Sequence, residues 1–206
     1  MERMFDSCTN LESINFGNFD SSHVFNLHGL FRYDLSLLSL DLSNLDVSNV
    51  EDMSFLFESS AINYVNLQNW KTSSLKDMYA MFASCHNLRS IDLSLFNTSK
   101  VEDMGALFFD CTNLDSINLS KFDSSNLLDM NLMFASCVNL KNINFNRLNT
   151  QNVRNMSIIF SHCESLISID ISSFQTDNVV DMNNFFNGCY RLKNIKFGQF
   201  NLYIFE

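Results

Sequence analysis

The chain has 206 residues, 46% of them hydrophobic and 17% charged, which is enough apolar material for a buried core and too little charge for a disordered segment. A net charge of -10 argues against a general binder of nucleic acid or anionic membrane, because phosphate contacts need clustered Lys and Arg. The acid is concentrated early: residues 1 to 103 carry 14 acidic and 6 basic side chains, net -8, whereas residues 104 to 206 carry 9 and 7, net -2.

The chain opens on MERMFDSCTN, which lacks the basic start and apolar run of a signal peptide, and no apolar run approaches the length of a membrane span. Phe5 is the first member of a series that continues at 31, 57, 82, 108, 134, 160 and 186, in steps of 26 with a single step of 25. Around each Phe the frame L-x-x-I-D-L-S-x-F-D-T-S-N-V-x-D-M-x-x-M-F-x-x-C-x-N returns, clearest in LRSIDLSLFNTSKVEDMGALFFDCTN at residues 88 to 113. The short step falls in FESSAINYVNL, where one turn is tightened by a residue.

Each apolar column holds a narrow class of side chain. Ile91 and Leu93 flank Asp92 with period 2, the mark of a strand with one buried face. Met130, Met133, Phe134 and Cys137 fall at i, i+3, i+4 and i+7, which predicts one face of a short helical turn. A coil of this kind cannot bury its face alone, so the coils must stack. The expected fold is a leucine-rich-repeat-like solenoid of about eight coils, with one parallel β-sheet and short helical or extended segments on its other side. It is expected to form a single repeat domain over 1–206 that begins in mid-repeat, with an end that can fall in mid-repeat too.

The repeated columns also contain reactive side chains. Cys8, Cys85, Cys111, Cys137, Cys163 and Cys189 share one column, whose other members are Asp34 and Ser60. Equivalent residues on stacked coils have parallel Cα to Cβ vectors, which disfavours a disulfide, and a straight ladder cannot present four sulfurs tetrahedrally to zinc. Buried, reduced, structural thiols are expected. Before each Met stands Asn26, Asp52, Asp77, Asp103, Asp129, Asn155 or Asp181; exchange between Asp and Asn alone points to capping, which needs an acceptor oxygen and no charge. Ser21, Thr72, Thr98, Ser124, Thr150 and Thr176 stand where a chain with no proline and 5 glycines must turn, and their hydroxyls are expected to satisfy the backbone there. His86 and His162 adjoin Cys85 and Cys163, but sequence neighbours point apart once the thiol faces the core. Neither a phosphate loop nor a nucleophile elbow is present. The expectation is a protein without enzymatic activity, cofactor or metal.

The repeat resembles that of the BspA-like leucine-rich repeat surface proteins, a family common among bacterial surface proteins and lipoproteins. The likeness covers essentially the whole chain. It implies a non-enzymatic recognition scaffold, often for adhesion to host cells or matrix proteins. Two departures stand out: the secretion or lipoprotein signal of that family is missing, and Met1 falls in the DM column, inside a repeat. The alternative is therefore an intracellular recognition protein, an effector or an immunity-type inhibitor. The chain as written would be cytoplasmic, and a removed upstream signal would place it at the cell surface or outside the cell.

Specificity is expected where the columns vary. Arg89, Asp115, Lys121, Lys141, Arg147, Lys193 and Lys196 place mixed, mainly positive charge on the strand surface of the second half and are the candidate partner-binding residues. The partner is expected to be a host or matrix protein or a cognate bacterial protein, with neither nucleic acid binding nor membrane insertion. End-to-end self-association is also expected, because neither terminal coil has an evident polar cover.

Overall fold

In the computed structural model, residues 1–146 and 148–200 are described. Eight coils stack in sequence order, and coils two to eight each begin at the Asp/Asn column, at residues 26, 52, 77, 103, 129, 155 and 181. That column is also a ladder of parallel bridges running from Asn26 through Asp52, Asp77, Asp103 and Asp129 to Asn155 and Asp181.

The core is continuous through the coils. Phe31, Phe57, Phe82, Phe108, Phe134 and Phe160 are fully buried. Their rings stack nearly parallel, with centroids 5.4 to 5.9 Å apart. Phe5 and Phe186 extend the stack at either end. Met130, Met133, Phe134 and Cys137 are all buried, so the spacing identified the inward face correctly.

Its conformation is not the expected helical turn, and no α-helix forms among the described residues. From each Asp/Asn the chain runs as a ribbon of consecutive turns. Met53, Phe55, Phe57 and Ser59 donate their N–H groups to the carbonyls of Asp77, Tyr79, Met81 and Ala83 in the next coil. Leu56, Glu58 and Ser60 donate to the carbonyl three residues back in their own coil. Alternation between the two kinds of bond satisfies the whole ribbon, and four such inter-coil donors recur at every later junction. A helix would have closed these bonds internally and left nothing for the neighbouring coil.

The ribbon requires two left-handed residues per coil, such as Ala80 (φ 52°) with Ser84 (φ 54°) and Leu132 (φ 58°) with Ser136 (φ 63°). Each non-glycine residue held there costs about 1–2 kcal/mol, and the stacking bonds offset it. Glycine takes one left-handed place where room is also short: at Gly188 (φ 74°) a Cβ would lie 2.6 Å from Nδ1 of His162.

The strand side differs from expectation as well. Instead of one sheet there are three separate parallel pairs: β1 (Ser39–Asp41) with β2 (Tyr64–Asn66), β3 (Ser116–Asn118) with β4 (Asn142–Asn144), and β5 (Ser168–Gln175) with β6 (Asn194–Gln199). Residues 90–92 of the fourth coil form no strand, although their alternation is the same. Shallow open grooves lie on either side of them, one against Tyr64–Gln68 and one against Ser116–Asn118.

The hydroxyl column behaves as expected. Thr98 is buried and donates Oγ1 to the Asp123 carbonyl, while Oγ1 of Thr72 accepts from the Asn97 N–H and donates to the Asn97 carbonyl. Thr150 makes the same pair of bonds with Gln175. Each hydroxyl thus ties its own turn to the next one. The capping expectation also holds in substance: Oδ1 of Asp52, Asp77, Asp103 and Asp129 accepts the N–H two residues on, and Asn26 and Asn155 do the same with their amide oxygens. What they cap is the turn ribbon.

Candidate functional site

On the strand side the alternate residues that miss the core face outward, and the column just before the strands carries Arg89, Asp115 and Lys141 on three successive coils. All three are exposed. Backbone bonds hold them in register, from Asp115 N–H to Arg89 O and from Lys141 N–H to Asp115 O. Lys141 Nζ lies 2.5 Å from Asp115 Oδ1, so these two charges neutralise each other and Arg89 is left without an ion pair among the described residues. Together with Ser90, Asn113, Ser116 and Asn139 they line an open groove.

The other expected residues lie apart from this trio. Lys196, in β6, pairs with Asp170 at 2.9 Å. Hydrogen bonds from Ser172, with help from Lys196, hold the Asp170 carboxyl down at about 2. Lys193 stands two coils beyond Lys141 in the same column, with exposed Ile167 between them. Lys121 is exposed in the turn after β3. Arg147 lies outside the described residues. The strand surface is therefore a mixed-charge face with local pairs, less positive than the count of Lys and Arg implies.

The cysteine column contains its chemistry. Cys85, Cys111, Cys137 and Cys163 are buried, and each S–H donates to the carbonyl of the core Phe in the preceding coil, at 3.0 to 3.2 Å. Burial pushes the Cys85 thiol up to about 12 and raises Cys111, Cys137 and Cys163 strongly, which keeps them protonated and poor nucleophiles. Cys8 departs from the expected burial and is exposed, and Cys189 is half-buried. His86 points away from Cys85, toward Asp110 and Thr112. Among the described residues no three His, Cys, Asp or Glu side chains come together as a metal site.

Asp34 stands in this column with no thiol or hydroxyl to offer. It is fully buried, and neither carboxyl oxygen has a well-formed hydrogen bond among the described residues. Burial pushes its carboxyl up to about 7, with the nearby Cys8 N–H opposing the rise and the like charge of Asp6 adding to it.

A second variable surface emerges only from the coordinates. The two positions between the methionines and the two between Phe and Cys lie on the side of the turn ribbon away from the main core. There Ala80, Ala83 and Ala106 form a small buried cluster of their own, covered by Phe55, Tyr79, Phe109 and Leu132, which are half-buried. The signal available in the sequence was the variability of the x positions in DMxxMFxxC, which runs His28, Ser54, Tyr79, Gly105, Asn131, Ser157 at the first of them.

With this architecture established, the family follows. The chain belongs to the family described as "Mycoplasma protein of unknown function, DUF285", which it matches over residues 1–116 and 80–200. No curated protein matches it. Two solved structures are similar to it. One is a leucine-rich repeat protein from Bacteroides ovatus, 17% identical, aligned over 95% of this chain and 71% of that one with a TM-score of 0.28. The other is an internalin from Listeria monocytogenes, 13% identical, aligned over 81% of this chain with a TM-score of 0.37; the chain spans 49% of its length. In the membrane respect, no helix among the described residues is long and apolar enough to cross a bilayer.

Proposed function

We propose that the protein is a non-catalytic scaffold for protein–protein recognition, working through the strand-side face as the repeat region of a bacterial surface adhesion protein. The observation that supports it best is the Arg89, Asp115 and Lys141 column: three exposed, chemically different side chains held at one coil per step along an open groove. A rigid backbone ladder presenting variable side chains is how repeat proteins build extended binding faces. The chemistry elsewhere agrees with this reading, since the buried thiols are hydrogen-bonded and protonated. The surface role rests on the resemblance of the repeat to BspA-like proteins.

The test is affinity capture from host-cell surface, matrix and bacterial extracts, repeated with Arg89→Glu, Lys121→Glu, Lys141→Glu and Arg147→Glu combined. Loss of a host or matrix partner in the variant supports both the face and the adhesive role. Capture that the charge reversal leaves unchanged removes this face from consideration, and capture confined to bacterial cytosol replaces adhesion by intracellular recognition.

A further inference from the structure

The ribbon bonds that join one coil to the next all run in one direction, so the two ends of the stack are chemically opposite. Each coil donates N–H groups forward and accepts from the coil behind it. In the last coil Asn184, Phe186 and Gly188 occupy the donor positions, and their N–H groups have no partner among the described residues. In the first coil the carbonyls of Glu2, Met4 and Asp6 occupy the acceptor positions, and none of them accepts a bond from a described residue. The ribbon keeps its conformation at both ends all the same. Arg3 (φ 49°) and Ser7 (φ 62°) are left-handed, and so are Asn184 (φ 56°) and Gly188 (φ 74°). A row of unpaired backbone groups already in bonding geometry is a template for another chain.

The side chains at the two ends match in the same register. Phe5 and Phe186 are half-buried, whereas every ring of the stack between them is fully buried. Leu11 and Leu192 are half-buried too, in a column whose inner members, from Leu37 to Leu166, have no exposure. Cys189 donates its S–H back to the Phe160 carbonyl at 2.9 Å. The exposed Cys8 has no such partner among the described residues, and its counterpart by register is the Phe186 carbonyl. Asn113 and Asn139 reach back with Nδ2 to the carbonyls of His86 and Thr112, while Asn10 in the same column is exposed and unbonded among the described residues.

Charge is complementary as well. Residues 1–25 carry Glu2, Asp6, Glu12 and Asp20 against Arg3, net -3, and residues 181–200 carry Arg191, Lys193 and Lys196 against Asp181, net +2. Glu12 and Lys193 belong to the column in which Asp115 and Lys141 pair across a single coil step. Stacking in register sets Lys193 of one copy beside Glu12 of the next at that same step.

We propose that the chain assembles head to tail, the last coil of one copy stacking on the first coil of a second copy. The N–H groups of Asn184, Phe186 and Gly188 then donate to the carbonyls of Glu2, Met4 and Asp6 of the next copy, and Phe186 stacks on its Phe5. This contact joins unlike faces, and translation along the stack does not close it, so it builds filaments and not a dimer. It carries the Arg89, Asp115 and Lys141 column from copy to copy and does not depend on what that column binds.

The test is analytical sedimentation of the full chain over rising concentration, with hydrogen exchange on the same samples. The mean mass should climb past that of a dimer without a plateau, and protection of the Asn184, Phe186 and Gly188 amides should climb with it. Glu12→Lys alone and Lys193→Glu alone should each weaken assembly about tenfold, because like charges then meet at every junction. Both positions are exposed, so neither change disturbs the core. Mixing the two variants should restore assembly, since each junction between unlike copies pairs opposite charges again. Any of four results overturns the proposal: a constant monomer mass up to sub-millimolar concentration, a plateau at the dimer, assembly that leaves those three amides unprotected, or a mixture that assembles no better than either variant.

Discussion

The turn ribbon and the strand side are built from the same coils, yet only the ribbon is continuous. Across the ribbon, four N–H groups per coil reach the next coil at each junction from the second coil onward. On the strand side the ladder breaks into three pairs, and residues 90–92 belong to none of them. The comparison shows that a solenoid can be carried by backbone bonds between turns, with short strands as an addition to that spine. The continuous side can then hold strained left-handed residues.

The comparison can be broken or sharpened in several ways. Phe108→Ala in the middle of the ring stack should cost about 3–5 kcal/mol in urea unfolding, and Ile117→Ala under β3 about 2–3 kcal/mol. Equal costs would mean that the two sides share the load. Hydrogen exchange reads the backbone directly: the amides of Ala80, Phe82 and Ser84 should be protected at least about a hundredfold more than those of residues 90–92.

Asp34→Ser should stabilise the protein by about 2 kcal/mol at pH 8, since Ser60 shows that a hydroxyl fits this column. Folded Asp34 holds its proton up to about pH 7, whereas an ordinary carboxyl loses it near 3.8. Between those values the folded state binds more protons, so the native protein loses stability as pH rises from about 4 to about 7 and regains none above. Thermal melts of both proteins across pH 3 to 8 should converge at the acid end. A gain from Asp34→Ser that is the same at every pH would show that the effect is packing.

Thr98→Val should cost about 1–2 kcal/mol by removing the bond to the Asp123 carbonyl, and Val47→Thr, at the one site of that column without a hydroxyl among the described residues, should recover part of such a cost. Smallest of all, Ser84→Gly should add about 0.5–1 kcal/mol by relieving a left-handed residue, provided the ribbon carries the stack.

Much of this molecule was legible from residue order. The 26-residue period, the inward columns, the hydroxyl turns and the Asp/Asn caps could all be identified because each recurs from coil to coil with little tolerance for exchange. The site was less legible. Arg89, Asp115 and Lys141 could be placed in one column, but the pairing of Lys141 with Asp115 and of Lys196 with Asp170, which reduces the positive character of the face, depends on coil spacing and side-chain reach. The ribbon face escaped notice because its varied positions lie between the most regular ones.

The sequence by itself determined the stack, since no coil can bury Phe108 and Cys111 without a neighbour on each side. It also determined which residues face inward, because Met130, Met133, Phe134 and Cys137 share a face in a helical turn and in a turn ribbon alike. Only the tertiary structure decided between those two conformations. Ala80, Ser84, Leu132 and Ser136 have no local preference for positive φ, and they adopt it because their N–H groups then reach the next coil. A preference supplied by a neighbour 26 residues away leaves no mark on the residues that obey it.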